Sequence, residues 1–418
     1  MAFTSISGPL LRQKTVRILN NPLRCLTNVK DTKLPAHKPP YYDYLSLGHL
    51  NWLLPDKTQT RFNENTKVIT VAGSVLSGKN HLASRLADYF GMMFHEDTCD
   101  DDLFNHRCPN GAVIDIRGHN SILPKKSAYY TTELFWQDEN PMKNGKPLWL
   151  QYAYYAHRFY QYSKGLCHLF NTGKGQIFGK DIFSEVIFAE AMLKSGLMSE
   201  YAYNWFEDMH NRTTMEMWRP HIIFYVKASK EQIKQKIAER NLDWEKSSPT
   251  LNDKFLDTYQ ECLESYLDKT SKYSEIVVID RKDVDIYDED DIKILVDKLV
   301  YLDLEGEHLN RDDSKFIDWR FGLHLGASYG TARQRFSSAK VAYKNTFAPF
   351  HAPLDMSEAK YSESAKEHHR YLKQLDPRFK YAPDQNPLYR NPLSIMFNPF
   401  GGFTNYCKDY PKEIVKAL

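Results

Sequence analysis

The stretch from Val71 to Leu86, VAGSVLSGKNHLASRL, decides how the rest of the chain is read. Gly73, Gly78 and Lys79 have the G-x-x-x-x-G-K spacing of a phosphate-binding loop, but Asn80 follows where such loops carry Ser or Thr. The loop works because glycines let backbone N–H groups turn toward phosphate oxygens at a helix N-terminus, where the helix dipole also favours negative charge. Gly73, Ser74, Ser77, Gly78, Lys79 and Asn80 are therefore candidate phosphate-binding residues, with Lys79 reaching the β- and γ-phosphates. The hydroxyl missing at Asn80 normally ligates Mg²⁺, the ion that neutralises charge during phosphoryl transfer. An amide oxygen is an unpractised substitute.

The flanks supply the context this motif needs. KVITVAG reads as a buried strand, and behind the loop Leu82, Leu86 and Phe90 share one helix face, with Arg85 and Asp88 turned away. Further candidate strands are GQIF ending at Phe178, HIIFYV from His221 to Val226 and EIVVID from Glu275 to Asp280. Tyr152, Tyr155, Phe159, Tyr162, Leu166 and Phe170 recur at spacings of three and four, so a long helix starts near Leu148 and buries that stripe. Ser229 with Gln232 has the form of a capping box that opens another helix. Strands alternating with helices predict an α/β fold with a doubly wound, mainly parallel sheet.

Composition limits the alternatives. At 418 residues and 42% hydrophobic, the chain can bury a large core, yet it has no uninterrupted apolar run of bilayer length. The six cysteines form no C-x-x-C pair, which argues against a zinc site or a disulfide framework. Residues 1–30 hold Arg12, Lys14, Arg17, Arg24 and Lys30 and no acidic residue, and are expected to be a mitochondrial transit peptide. Without those five charges the formal net charge falls from +2 to about −3, so no nucleic-acid partner is expected. Residues 31–66 are read as a polar N-terminal extension, 67–302 as the α/β domain, and 303–418 as an irregular C-terminal extension. In that extension Pro349, Pro353, Pro377, Pro383, Pro387, Pro392, Pro399 and Pro411 interleave with aromatics, a pattern expected of an arm that orders on a partner.

The loop, PLWLQYAYYAHRFYQYSKGLCHLFNTGKG, FSEVIFAEAM and RPHIIFYVKAS together resemble the deoxyribonucleoside kinase family, a P-loop nucleoside/nucleotide kinase fold. They are most similar to its relatives among the kinase-like accessory subunits of respiratory complex I, NADH:ubiquinone oxidoreductase. The resemblance spans Lys67 to Leu302, and RFKYAPDQN near the C-terminus is similar to a stretch of those subunits that the kinases lack.

Carried over residue by residue, the kinase machinery is mostly missing. The resemblance places Gly179, Lys180 and Asp181 where the kinases have Glu-Arg-Ser, so the arginine fork that clamps phosphates is gone and Asp181 is expected to repel them. Lys180 is read as a surface lysine ahead of a phosphate ligand. Glu96 and Asp97 both lie near the position of the catalytic carboxylate, and the acidic run through Asp100, Asp101 and Asp102 is expected to be a solvated loop. Gln151 matches the base-reading glutamine, whose amide offers a donor and an acceptor. Arg240 matches a lid arginine over the donor phosphates, or else interacts with its own helix end.

The resemblance therefore implies a non-catalytic accessory subunit of mitochondrial NADH dehydrogenase, peripheral on the matrix side of the inner membrane, with other complex I subunits as partners. No cofactor is required, although a purine nucleotide or FAD is compatible with the loop. The alternative is an active mitochondrial deoxyribonucleoside kinase.

Overall fold

The computed structural model describes residues 26–30, 62–107, 113–121, 128–144, 146–214 and 217–300. The expected C-terminal arm, and most of the expected leader and N-terminal extension, lie outside the described residues. The strands are β1 (Val68–Gly73), β2 (Met93–His95), β3 (Asn105–Arg107), β4 (Val113–Asp115), β5 (Gln176–Phe178), β6 (Ile222–Lys227) and β7 (Glu275–Asp280). The helices are α1 (Lys79–Phe90), α2 (Asp100–Phe104), α3 (Thr132–Gln137), α4 (Pro141–Asn144), α5 (Lys146–Thr172), α6 (Glu185–Lys194), α7 (Glu200–Thr214), α8 (Lys230–Arg240), α9 (Asp243–Lys246), α10 (Asp253–Thr270) and α11 (Glu289–Leu299).

Five strands form one sheet in the order β2-β5-β1-β6-β7, and every pairing in it is parallel. Because side chains alternate across a strand, one sequence serves both faces. In β1, Val68 and Ala72 join one apolar cluster while Ile69 and Val71 join the other; in β6, Ile223 and Tyr225 oppose Ile222, Phe224 and Val226. The first cluster holds the aromatic stripe of α5 together with α6, α7 and α10, and the second holds α1 and α11. The sheet is thus covered on both faces, as its near-continuous apolar strands require. All six stripe residues of α5 are buried, and Phe159, Leu166 and Phe170 each contribute about 1.5–3 kcal/mol of transfer free energy.

β1 lies at the centre, flanked by β5 and β6, so the chain leaves it for β2 on one side and later returns on the other. The loop after β1 therefore opens at the carboxyl edge of the sheet, at the point where the winding reverses, which is where such sheets hold ligands. The cap expected at Ser229 forms reciprocally: Gln232 N donates to Ser229 Oγ at 3.3 Å and Ser229 N to Gln232 Oε1 at 2.9 Å.

The folded unit begins earlier than the sequence boundaries place it. Leu26 is fully buried in the second apolar cluster, Thr27 N donates to Asn65 Oδ1 at 2.7 Å, and Val29 N donates to Tyr89 O at 2.8 Å. Asn65 completes the clasp by donating Nδ2 to Thr27 O and Phe90 O. A leader ending at residue 30 would remove a core side chain, so its expected boundary cuts through the domain. The reason is that Leu26 and Val29 are apolar residues within a basic, loop-like context that carries no periodicity.

Candidate functional site

Gly78 precedes α1 in the left-handed conformation, at φ 86°, and gives the helix no side-chain cap. A Cβ there would also meet Ile286 Cδ1 at 2.5 Å, so the position demands glycine for both conformation and space. The uncapped first-turn amides of α1 face a cavity of about 470 Å³. Gly73, Ser77, Gly78, Lys79 and Asn80 line it, whereas Ser74 turns aside and its hydroxyl donates to Gln260 Oε1 at 2.8 Å. Ser77 Oγ and Asn80 Oδ1 are buried with no hydrogen-bond partner among the described residues.

An ion-pair chain crosses the floor of the cavity. Lys79 Nζ lies 2.8 Å from Asp97 Oδ2, and Arg158 brings Nε and Nη2 to Asp97 Oδ1 at 2.9 and 2.7 Å. The third guanidinium nitrogen of Arg158 lies 2.6 Å from Glu185 Oε1, which Lys180 Nζ also approaches at 3.2 Å. Gln151 closes the chain by donating Nε2 to Glu185 Oε2 at 2.8 Å and to Glu185 O at 3.2 Å. Burial would push the Asp97 carboxyl up, but Arg158, Lys79 and Lys180 outweigh it and hold Asp97 well below the usual carboxylate range. Burial pulls the Lys180 ammonium down, with Glu185 opposing. Arg158 is raised in spite of its burial, because Asp97 and Glu185 stabilise its charge.

Beyond this polar floor the lining becomes aromatic and aliphatic, with Phe135, Trp136, Leu150, Phe188, Met192 and Tyr259. At the mouth Arg240 ends α8 and its Nη1 lies 3.2 Å from Glu245 Oε1, while burial, opposed by Arg240, pushes the Glu245 carboxyl up. The cavity therefore joins a cationic, amide-lined end to an apolar end. That suits a ligand carrying phosphate at one end and a flat ring at the other.

The structure gathers Gly73, Ser77, Gly78, Lys79, Asn80, Gln151 and Arg240 around one space and corrects several expectations nearby. Asp97 rather than Glu96 faces the cavity. Lys180 is not a surface lysine, since its side chain is mostly buried against Glu185. Asp181 does not confront phosphate: it is buried and accepts from Ser184 N at 2.7 Å, just before α6. The acidic run is the short helix α2, in which Asp100 accepts from Thr132 and from Tyr154.

Arg158 and Glu185 were not legible as site residues, although both carry a signal. Arg158 falls seven residues after Gln151 on the buried face of α5, and Glu185 interrupts an apolar run. A charge in such a place is rarely buried without a partner.

The deoxynucleoside kinase family matches residues 69–301. The mitochondrial NADH dehydrogenase [ubiquinone] 1 alpha subcomplex subunit 10 of Rattus norvegicus is 30% identical over 280 residues, covering 66% of this chain and 73% of that protein. A deoxyguanosine kinase of Dictyostelium discoideum is 22% identical over 224 residues, covering 53% of this chain and 67% of that enzyme. Among solved structures, a deoxyadenosine kinase from M. mycoides, with products dCMP and a flexible dCDP bound, aligns with a TM-score of 0.39 at 14% identity, covering 56% of this chain and 98% of that one. With its glycine loop at the winding reversal of a parallel sheet and a family match from residue 69 through the last strand of that sheet, the chain belongs to the deoxynucleoside kinase family, with the alpha subcomplex subunit 10 proteins among its relatives.

Proposed function

We propose that this chain is an accessory subunit of mitochondrial NADH:ubiquinone oxidoreductase, seated on the matrix side of the inner membrane, in which a kinase fold holds a nucleotide without transferring its phosphate. The subunit reading is supported by the rat relative, which carries that name. The reading of a pocket without turnover rests on one observation, the pinning of Asp97. A general base must accept a proton near neutral pH, within hydrogen-bond reach of the hydroxyl it activates. Asp97 is the carboxylate in the expected region that faces the cavity, and both of its oxygens are committed to Lys79 and Arg158. Its depressed pKa makes it a poor proton acceptor.

Holding a nucleotide needs less. Loop amides and Lys79 bind phosphate in ground and transition states alike, and such uniform binding survives the loss of groups that act only in the transition state. A purine nucleotide is the proposed occupant, with the adenylate part of FAD as a second ligand to be screened.

Three measurements test the reading. Full-length protein incubated with deoxyribonucleosides and Mg-ATP is expected to form no monophosphate; turnover at a modest kinase rate of about 1 per second would establish the active-kinase alternative, for which the retained Lys79 and Gln151 argue. On native gels of mitochondrial membranes the protein is expected to co-migrate with complex I, and recovery only as free matrix protein defeats the subunit reading. Nucleotide at about a hundredfold excess over Kd stabilises the fold by about 2.7 kcal/mol, a thermal shift that Lys79→Ala is expected to abolish.

A further inference from the structure

A phosphate loop of this family implies Mg²⁺, and the residues here do not fit it. The loop hydroxyl that would ligate the ion is replaced by Asn80, whose Oδ1 is buried out of reach of solvent against Gly179. A metal needs free oxygen lone pairs at about 2.0–2.1 Å for Mg²⁺. Every carboxylate oxygen of the floor already faces a donor, so a metal there would have to crowd against Lys79, Arg158, Lys180 or Gln151. Asp97 Oδ1 accepts from Arg158 and Oδ2 from Lys79; Glu185 Oε1 faces Arg158 and Lys180, and Oε2 accepts from Gln151. In place of a metal the floor carries three cations against two carboxylates, one positive charge in excess. Lys79 gives one N–H to Asp97, and an ammonium has three, so donors remain for phosphate.

We propose that this site holds nucleotide phosphates without a divalent metal, with Lys79 and Lys180 supplying the charge that Mg²⁺ would otherwise bring and Arg158 fixing their carboxylate partners. The inference rests on the reading of the cavity as a nucleotide site and goes beyond it. It also accounts for a kinase loop that retains its lysine while losing its metal hydroxyl: cations fixed by the fold stabilise a resting polyphosphate, whereas phosphoryl transfer needs the mobile charge and geometry of a metal.

The test is calorimetric titration of the full chain with ATP, GTP and their 2′-deoxy forms, once with EDTA and once with excess MgCl₂. The expected result is binding of at least one of these with Kd values within about threefold of each other in the two buffers. Tightening by Mg²⁺ of about tenfold or more overturns the metal-free proposal while leaving the nucleotide site intact. Failure of all four to bind in either buffer overturns the nucleotide reading itself. Lys180→Gln is expected to weaken binding about tenfold in both buffers, the loss of one charge-assisted contact, with the fold monitored by circular dichroism. A folded Lys180→Gln protein with unchanged affinity also overturns the proposal.

Discussion

Asn80 and Gly179 share one space, because a Cβ built at position 179 would fall well inside 3.0 Å of Asn80 Oδ1 and 3.1 Å from Asp97 N. The two positions are far apart in sequence and meet where the start of α1 passes the end of β5. Asn80 is larger than the Ser or Thr of an ordinary phosphate loop, and a glycine opposite accommodates it. Gly179→Ala is therefore expected to destabilise the protein by about 1–3 kcal/mol through overpacking. In the Asn80→Ser background the same change should cost less, with only the contact to Asp97 N remaining, giving a coupling energy of about 0.5 kcal/mol or more in a double-mutant cycle of thermal unfolding. Additive effects would show that the two side-chain volumes are independent.

Stability is expected to fall as the solution is acidified from about pH 6.5 to about pH 4, through His95 and His157. Burial lowers both to about 4, in the case of His95 against a hydrogen bond that its Nε2 donates to Gln176 Oε1. The sign follows from proton counting: below pH 6.5 the unfolded chain binds protons that the folded protein refuses, so the stabilisation is complete above that value and is lost on descent. Each histidine accounts for about 2–3 kcal/mol at the lower end of the window. His95 also stacks on Phe178 at 4.5 Å, so His95→Asn lowers stability at pH 7 as well. What identifies the titration is a flatter decline between pH 6.5 and 4, read from urea midpoints at several pH values.

The parts of the fold written in local pattern were readable from the chain. The 3.6-residue stripe of α5, the apolar strands β1, β5 and β6 and the Ser229–Gln232 cap each depend on neighbours a few residues away. The site depends on contacts between distant elements. Whether Glu96 or Asp97 faces the cavity is settled by the direction in which the chain leaves β2. Lys180 and Asp181 are adjacent, yet one lines the cavity while the other closes the turn into α6. The union of Arg158 with Glu185 requires α5 and α6 to be docked, and no periodicity encodes that.

The N-terminal clasp bears directly on processing of the chain. Leu26 is fully buried, so Leu26→Ala is expected to cost about 2–5 kcal/mol. Removal of residues 1–30 should cost more, since it also strips the two backbone partners of Asn65 and Tyr89. If a presequence is removed in mitochondria, N-terminal sequencing of the mature protein is expected to place the cut before Leu26. A mature protein that begins after Lys30 and keeps the full melting temperature would refute the structural role of this segment.

Among the described residues, Arg158 alone pairs with both Asp97 and Glu185. Arg158→Met leaves Asp97 to Lys79 and Glu185 to Lys180, and stranding buried charge in this way costs about 3–5 kcal/mol. The double variant Arg158→Met with Glu185→Leu removes the more deeply buried carboxylate as well, and is expected to recover a good part of that loss, since a well-packed apolar pair often matches a buried ion pair. The pH profile separates charge from packing. Asp97 is held below its ordinary value in the native protein, so its contribution is complete above about pH 4 and disappears as the pH falls through the folded value. Without Arg158 that depression shrinks, and the acid limb contributed by Asp97 should flatten and move upward in pH. A loss of stability in Arg158→Met that is constant across the acid range would assign the residue a packing role instead.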